Sequence, residues 1–306
     1  MTNRPCSPGL EPLLGVSYPI LDHGFLRVVD YMGTDASITE AARMSTGKTA
    51  KTEAEDRGLL NYLMRHGHTS PFEMCEIRFR VKVPIFVARQ WVRHRTANMN
   101  EYSMRYRPAI TDVYLPAPEN LARQDTENKQ GRGKLLTAEE AAEFLAILNF
   151  GTATTQEAYD YAVDTYDLAK ELARIGLQLN TYTEFTWKTD LHNLFGFLHQ
   201  RADRHAQYEI RVYAEKMLEI TEAWVPWAFA AFEEHRRGAF LLSKTMIDTV
   251  RALLDAAGLV LIDEGGLLKL RSPVATLSWA KAPDGLTKRE RAELISALGW
   301  SALEQS

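Results

Sequence analysis

The chain has 306 residues with 45% hydrophobic content, enough for one large soluble core. Its 36 Lys and Arg against 40 Asp and Glu give a formal net charge of −4, which argues against a general nucleic-acid binder and makes any anion site a local one. Two cysteines, Cys6 and Cys75, exclude a disulfide framework or a cysteine-rich zinc site; with no bilayer-length apolar run and no basic-then-apolar leader, a cytoplasmic location away from membranes is expected.

Residues 1–17 are rich in Pro and Gly without periodicity and read as a flexible leader. Gly24 to Tyr31 reads as a first strand, and Ser37-Ile38-Thr39-Glu40 has the spacing of a capping box that opens a short helix ending near Ser45. A second helix starts at Thr52 and carries the apolar stripe Leu59, Leu60, Leu63 and Met64. It stops at His66-Gly67-His68-Thr69-Ser70-Pro71-Phe72-Glu73, where Gly67 ends the helix and Pro71 favours an extended chain. The histidines, Ser70 and Glu73 of this turn are candidate metal ligands, though without further His or acidic partners the segment reads equally as a capped turn.

Met74 to Val83 alternates strictly, with Cys75, Ile77, Phe79, Val81 and Val83 on one face and Glu76, Arg78, Arg80 and Lys82 on the other. That is a half-buried strand of an antiparallel sheet. Pro84 then begins a helix that leads into Gln90-Trp91-Val92-Arg93-His94-Arg95, followed by Asn100, Glu101, Tyr102, Ser103, Met104 and Arg105. Forked guanidinium donors clustered at a helix end match phosphates and carboxylates, while Asn100 and Glu101 suit the edge of a nucleobase. A surface ion-pair network and an RNA-contacting loop remain open on spacing alone.

Val113 to Leu115 is a candidate short strand, and the polar, glycine-bearing stretch 116–136 reads as a mobile loop. Thr137-Ala138-Glu139-Glu140 caps a helix to about Phe150, and a second helix is expected from Thr154 to Ala173, finishing at Arg174. Leu179 to Trp187 is β-branched and aromatic, hence a strand. Asp190 caps what reads as the longest helix, Leu191 to about Ala223, on which Arg201, His205 and Glu209 form a polar row at four-residue spacing. Residues 239–306 show short amphipathic helices near 244–257 and 288–298 and a Leu/Val-rich piece over 259–270, with no chemistry of their own. The expected fold is α+β: an antiparallel or mixed sheet packed with long helices in one large domain, 18–238, with a helical extension, 239–306, of unassigned role.

Arg93-His94-Arg95, seven further residues and then Ser103 resemble the RHR-x7-S signature of the flavin-dependent thymidylate synthases. The resemblance extends to the turn at 66–73, to Asn180, Tyr182, Phe185 and Trp187, and to Arg201-Ala202-Asp203 with His205-Ala206-Gln207, so it spans about residues 21–232. It implies reductive methylation of dUMP to dTMP, with methylenetetrahydrofolate as carbon donor and NADPH as reductant acting through FAD, in a homotetramer with shared active sites. By the same resemblance Gln90, Arg93, Glu101, Tyr102, Ser103, Met104, Arg105, Arg174 and Arg201 are expected around dUMP, with Arg201 catalytic through ionisation of the uracil. Ser45, His68, Ser70, Glu73, Arg93, His94, Arg95, Glu101, Asp190, His192, Gly196 and His205 are expected around FAD. Met104, Asp190, His192 and Gly196 depart from the family's usual residues.

Ser103 has no base and orienting group beside it in sequence, so it reads as a nucleotide contact and not as a nucleophile. No glycine-rich dinucleotide fingerprint opens a helix after a strand, which argues against a Rossmann site. Two alternatives stand beside the resemblance. One is a nucleic-acid binder using the Arg/His cluster with Trp91, Tyr102 and Tyr106; the other is a metal-dependent hydrolase using His66, His68, Glu73 and His205.

Overall fold

The computed structural model describes residues 4–45, 47, 52–126, 131–256, 262–264 and 267–269. The chain divides into two compact units, Met1–Arg237 and Gly238–Ser306. In the first, β1 (Ser17–Ile20), β2 (Gly24–Met32), β3 (Glu76–Pro84) and β4 (Asn98–Glu101) precede a small hairpin of β5 (Ala122–Gln124) and β6 (Arg132–Leu135), and β7 (Tyr182–Asp190) follows. Five of these form an antiparallel sheet of order β1-β2-β3-β7-β4. With helices packed on it, the architecture is α+β, as expected.

The alternation of β3 decides which face is core. Ile77, Phe79, Val81 and Val83 are buried, and the register sets Phe79 opposite Trp187 and Val81 opposite Phe185. On the outer face Glu76 pairs with Lys188 at 2.5 Å, Arg80 with Glu184, and Arg78 with Asp30 at 3.5 Å. Such exposed pairs contribute at most about 1 kcal/mol each, so burial of the apolar face supplies most of the sheet's stability.

Helices α1 (Asp35–Met44), α2 (Glu53–Arg65), α3 (Ser70–Glu73) and α4 (Ile85–Trp91) come from the first half of the chain. The second half supplies α5 (Ala138–Tyr166), α6 (Lys170–Ala173), α7 (Leu191–Arg201), α8 (Tyr208–Trp224) and α9 (Pro226–Phe232). Trp91, at the end of α4, is fully buried, with Phe185, Trp187, Phe197 and Tyr213 within 4.8 to 5.9 Å between ring centroids. This aromatic cluster ties α4 to β7, α7 and α8, and so fixes where the following Arg-His-Arg segment emerges. None of the described helices is long and apolar enough to cross a membrane.

Several expectations are corrected. The leader is docked from Ser7 onward: Leu10 is fully buried, Ser7 Oγ donates to the Trp224 carbonyl at 2.7 Å, and Glu11–Leu13 form a turn of 3-10 helix. A Cβ on Gly9 would collide with the Ala223 carbonyl, so the glycine that suggested looseness permits close docking. The capping box of α1 belongs to Thr34 and Ser37, three residues ahead of the pair expected. Pro71 lies in the first turn of α3, where its missing N–H costs nothing, instead of extending the chain. At 113–115 there is one isolated bridge, Val113 to Thr181.

Longer-range corrections follow the same logic. The stretch 116–136 is not a plain loop, since it holds β5 and β6; residues 127–130 lie outside the described set. The break expected near Phe150 does not occur, because α5 runs unbroken for 29 residues. Thr152 Oγ1 bonds the Leu148 carbonyl and Gln178 at 2.8 Å each, so tertiary contacts carry the helix past Gly151. Conversely, the single long helix from Leu191 breaks after Arg201, where Asp203 accepts the His205 N–H at 2.8 Å and competes with helical bonding. The row Arg201, His205, Glu209 is therefore divided among a helix end, a turn and the start of α8. In the second unit the structure describes α10 (Lys244–Ala256) and a hairpin of β8 (Ile262–Glu264) and β9 (Leu267–Lys269). The helix expected near 288–298 lies outside the described residues.

Candidate active site

The Arg-His-Arg segment leaves α4 at its C-terminal cap, Val92, and is tied back to β7 where Thr189 Oγ1 donates to the Thr96 carbonyl at 3.3 Å. Arg201, at the C-terminal end of α7, donates Nε–H to His94 Nε2 at 3.0 Å. An imidazole nitrogen that accepts carries no proton, so His94 holds its proton on Nδ1 and is neutral. Burial, and then the Arg201 charge, push its pKa down to about 4. Phe197 closes the other side, edge to face at 4.8 Å.

Arg201 is half-buried, burial lowers its pKa, and no carboxylate pairs with it among the described residues. A guanidinium withdrawn from water and bound only to a neutral ring is an uncompensated positive charge. Arg93 and Arg95 are exposed beside it, also without an acidic partner among the described residues. In an acidic chain, Arg93 and Arg95 on either side of His94 in sequence, with Arg201 bonded to that ring, are candidates for holding an anion. Gln90, one turn before His94, donates to Gln207, whose own amide donates to Glu209 at 2.8 Å.

A second group of expected residues gathers elsewhere. Glu101 ends β4 and accepts from Thr183 Oγ1 at 2.6 Å; Tyr102 donates its hydroxyl to the Pro108 carbonyl at 2.8 Å. Met104 is buried against Tyr159 and Ala173, and the Ala109 N–H donates to Tyr159 Oη at 2.9 Å, so α5 and α6 carry this segment. Arg105 pairs with Glu171 at 2.9 Å, and Ser103 Oγ accepts the Arg105 backbone N–H at 3.4 Å. Arg174 follows directly on α6. The structure thus divides the expected dUMP residues: Gln90 and Arg93 belong to α4 and the segment after it, whose His94 is bonded by Arg201, whereas Ser103, Met104, Arg105 and Arg174 belong to the α5–α6 side.

The other residues expected around FAD lie at the end of α1, in the turn and short helix α3, on α7 and its cap, and in the turn after α7. Ser45 caps the end of α1 and donates to the Ala42 carbonyl at 2.9 Å. His68, Ser70 and Glu73 belong to the turn and short helix α3, with the His68 ring 5.8 Å from that of Tyr62. Asp190 caps α7, accepting the Asn193 N–H at 2.9 Å and its side-chain amide at 2.7 Å. His192 and Gly196 stand one turn apart on α7, and a Cβ added at Gly196 would meet nothing within 4 Å. His205 is exposed and bonded to Asp203 at 2.8 Å. Among the described residues no group of three or more His, Cys, Asp or Glu converges as metal ligands do, which leaves the hydrolase alternative without a centre there.

The sequence places Gln207 in the Arg201 block and Glu209 in the polar row without giving either a site role, and it gives no sign of Tyr114 or Arg132 as participants. Glu209 is 3% exposed, held by Arg132 Nη2 at 2.6 and 2.7 Å and by the Tyr114 hydroxyl at 3.1 Å. Burial, and then Glu209, raise the Tyr114 pKa, so its phenol stays a donor. Gln207 closes the Arg201 block and Glu209 lies two residues beyond it, both within reach of the sequence; Arg132 carries no local signal. Arg132 also borders a cavity of about 530 Å³ that His205 and Gln207 help to line.

Residues 27–227 match the family described as thymidylate synthase complementing protein. The chain belongs to the flavin-dependent thymidylate synthases. It is 54% identical over 256 residues to the flavin-dependent thymidylate synthase of Ruegeria pomeroyi, covering 83% of this chain and 85% of that one. With the flavin-dependent thymidylate synthase of Gluconobacter oxydans it shares 50% identity over 300 residues, covering 97% and 92%. Among solved structures, the UMP/dUMP methylase PolB from Streptomyces cacaoi bound with 5-Br dUMP has a TM-score of 0.65 at 29% identity, covering 72% of this chain and 99% of that one. The family match, over residues 27–227, spans the Arg-His-Arg cluster, α7 and α8, so the site lies within the matched region.

Proposed function

We propose that this enzyme converts dUMP to dTMP by reductive methylation at C5, binding FAD and using methylenetetrahydrofolate and NADPH. One observation carries the reading: Arg201, half-buried and unpaired among the described residues, with its Nε–H on a neutral His94. Uracil becomes nucleophilic at C5 as N3 loses its proton, and a cation at the ring favours the ionised form. Arg201 is suited to that task because His94, held neutral, orients the guanidinium without neutralising it. Arg93 stands between the two ligands, with Gln90 beside it on the nucleotide side. Ser103, Arg105 and Arg174 supply a hydroxyl and two cations for the nucleotide phosphate, with Glu101, Tyr102 and Met104 flanking them.

The residues present fit a flavin. Arg95 and His94 offer a cation and a neutral ring, the space before Gly196 is open, and His68 and Ser70 present polar groups at an exposed turn. Ser45, Glu73, Glu101, Asp190, His192 and His205 complete the proposed set. Bound flavin supplies the reducing hydride and is itself recharged by NADPH. A homotetramer with shared active sites is part of the same reading. It is supported by the division of the dUMP residues into two groups, and by apolar side chains left in water near Arg174. Ile147, Phe150 and Ile175 are 64%, 75% and 76% exposed.

The test is the absorbance spectrum of the purified protein, followed by acid release of the chromophore and assay for dTMP. Bound or readily taken-up FAD, bleached by NADPH faster with dUMP present, is the expected result. A colourless protein that takes up no FAD would overturn the reading.

A further inference from the structure

Beyond the residues assigned above, we propose that Glu209 is a positioning residue that fixes the hydrogen-bonding polarity of Gln90 through Gln207. The proposal rests on the reading that Gln90 contacts dUMP. A carboxylate accepts hydrogen bonds and cannot donate them, so Gln207 has to turn its NH2 group towards Glu209, at 2.8 Å. Its carbonyl oxygen is then the end that faces Gln90. Gln90 answers with an N–H, which leaves its Oε1 and one N–H for other partners. Each amide has two ends of similar shape and opposite character, and without a fixed terminus the pair could reverse together. Glu209 supplies that terminus.

Its own position is secured from two elements far away in sequence. Arg132, on β6, places Nη2 2.6 and 2.7 Å from the two carboxylate oxygens and also donates Nη1 to the Asn120 carbonyl at 3.1 Å. Tyr114 donates its phenol to Oε1 at 3.1 Å. The carboxylate cannot rotate without breaking several bonds in a buried setting, so the direction of the relay is set before a ligand arrives. A relay of this kind acts on ligand binding and not on bond making.

The test is equilibrium titration of the flavin-loaded enzyme with dUMP, followed by the change in flavin absorbance, for Glu209→Gln, Gln207→Leu, Gln90→Ala and the pair Gln90→Ala with Gln207→Leu. Gln207→Leu is included because it cuts the relay while leaving the Arg132–Glu209 pair in place; flavin content reports folding in each case. Each single change is expected to weaken dUMP binding by about tenfold, the scale of one oriented hydrogen bond. The double variant should bind no more weakly than Gln90→Ala alone, because both changes remove the same interaction. Multiplying effects in the double variant would overturn the proposal. So would wild-type affinity in both Glu209→Gln and Gln207→Leu alongside a weakened Gln90→Ala. Wild-type affinity in Gln90→Ala would remove the assignment of Gln90 itself, a separate failure.

Discussion

Replacing Arg201 by alanine tests the site through two unrelated readouts. The first is structural. His94 is held at a pKa of about 4, against an ordinary 6.5, by burial first and by the Arg201 charge second. Removing the smaller of those causes should raise the His94 midpoint towards its ordinary value, and water entering the vacated space shifts it the same way. The second readout is catalytic. Loss of one positioned charge of this kind costs on the order of 100- to 1,000-fold in turnover, so dTMP formation should fall that far while FAD remains bound. The assays are an NMR titration of the His94 ring protons and a rate of dTMP formation on flavin-loaded protein. An unmoved midpoint would mean that the 3.0 Å contact is not made in solution. Full activity with a shifted midpoint would keep the contact and remove the proposed role in ionising uracil.

Other expectations follow from the same geometry. Arg93→Ala should raise the dissociation constants of both dUMP and FAD, and an unchanged value for one would place Arg93 on a single ligand. Trp91→Ala empties a fully buried position ringed by four aromatic side chains and should cost about 3–5 kcal/mol in urea unfolding; a loss below about 1 kcal/mol would mean that the cluster collapses to refill the space. The depressed His94 pKa makes acid destabilising: between pH 6.5 and about 4 the unfolded chain takes up a proton that the folded chain refuses, so stability present above that window is lost as the pH falls through it. His94→Gln should flatten this part of the profile, and an unaltered acid limb would refute the assignment. Glu at both Ile147 and Phe150 should lower the mass seen by light scattering if that face joins subunits; an unchanged oligomer would place the contact elsewhere.

Local patterns determined a large part of this molecule from the sequence alone. The strict alternation of 75–83 set the core face of β3, Thr52 and Asp190 capped the helices expected of them, and Thr137 with Glu140 formed the box they spelled. Those features rest on contacts within a few residues, which is why they are legible in one dimension. The Arg-His-Arg spacing and its companion blocks likewise pointed to the family before any fold was known.

Tertiary structure decided the rest. Whether α5 breaks at Gly151 depends on Thr152 meeting Gln178, and the break after Arg201 depends on how the chain beyond it packs. Docking of residues 7–14 rests on Trp224 and Ala223, more than two hundred positions away. Nothing local in Arg132 announces a partner in Glu209, 77 residues on. Nor does the sequence show that Arg201 meets a histidine instead of a carboxylate, and that is what leaves its charge free. Charges and hydrogen bonds are compensated by whatever the fold brings near them, and in a buried site that neighbour comes from a distant part of the chain.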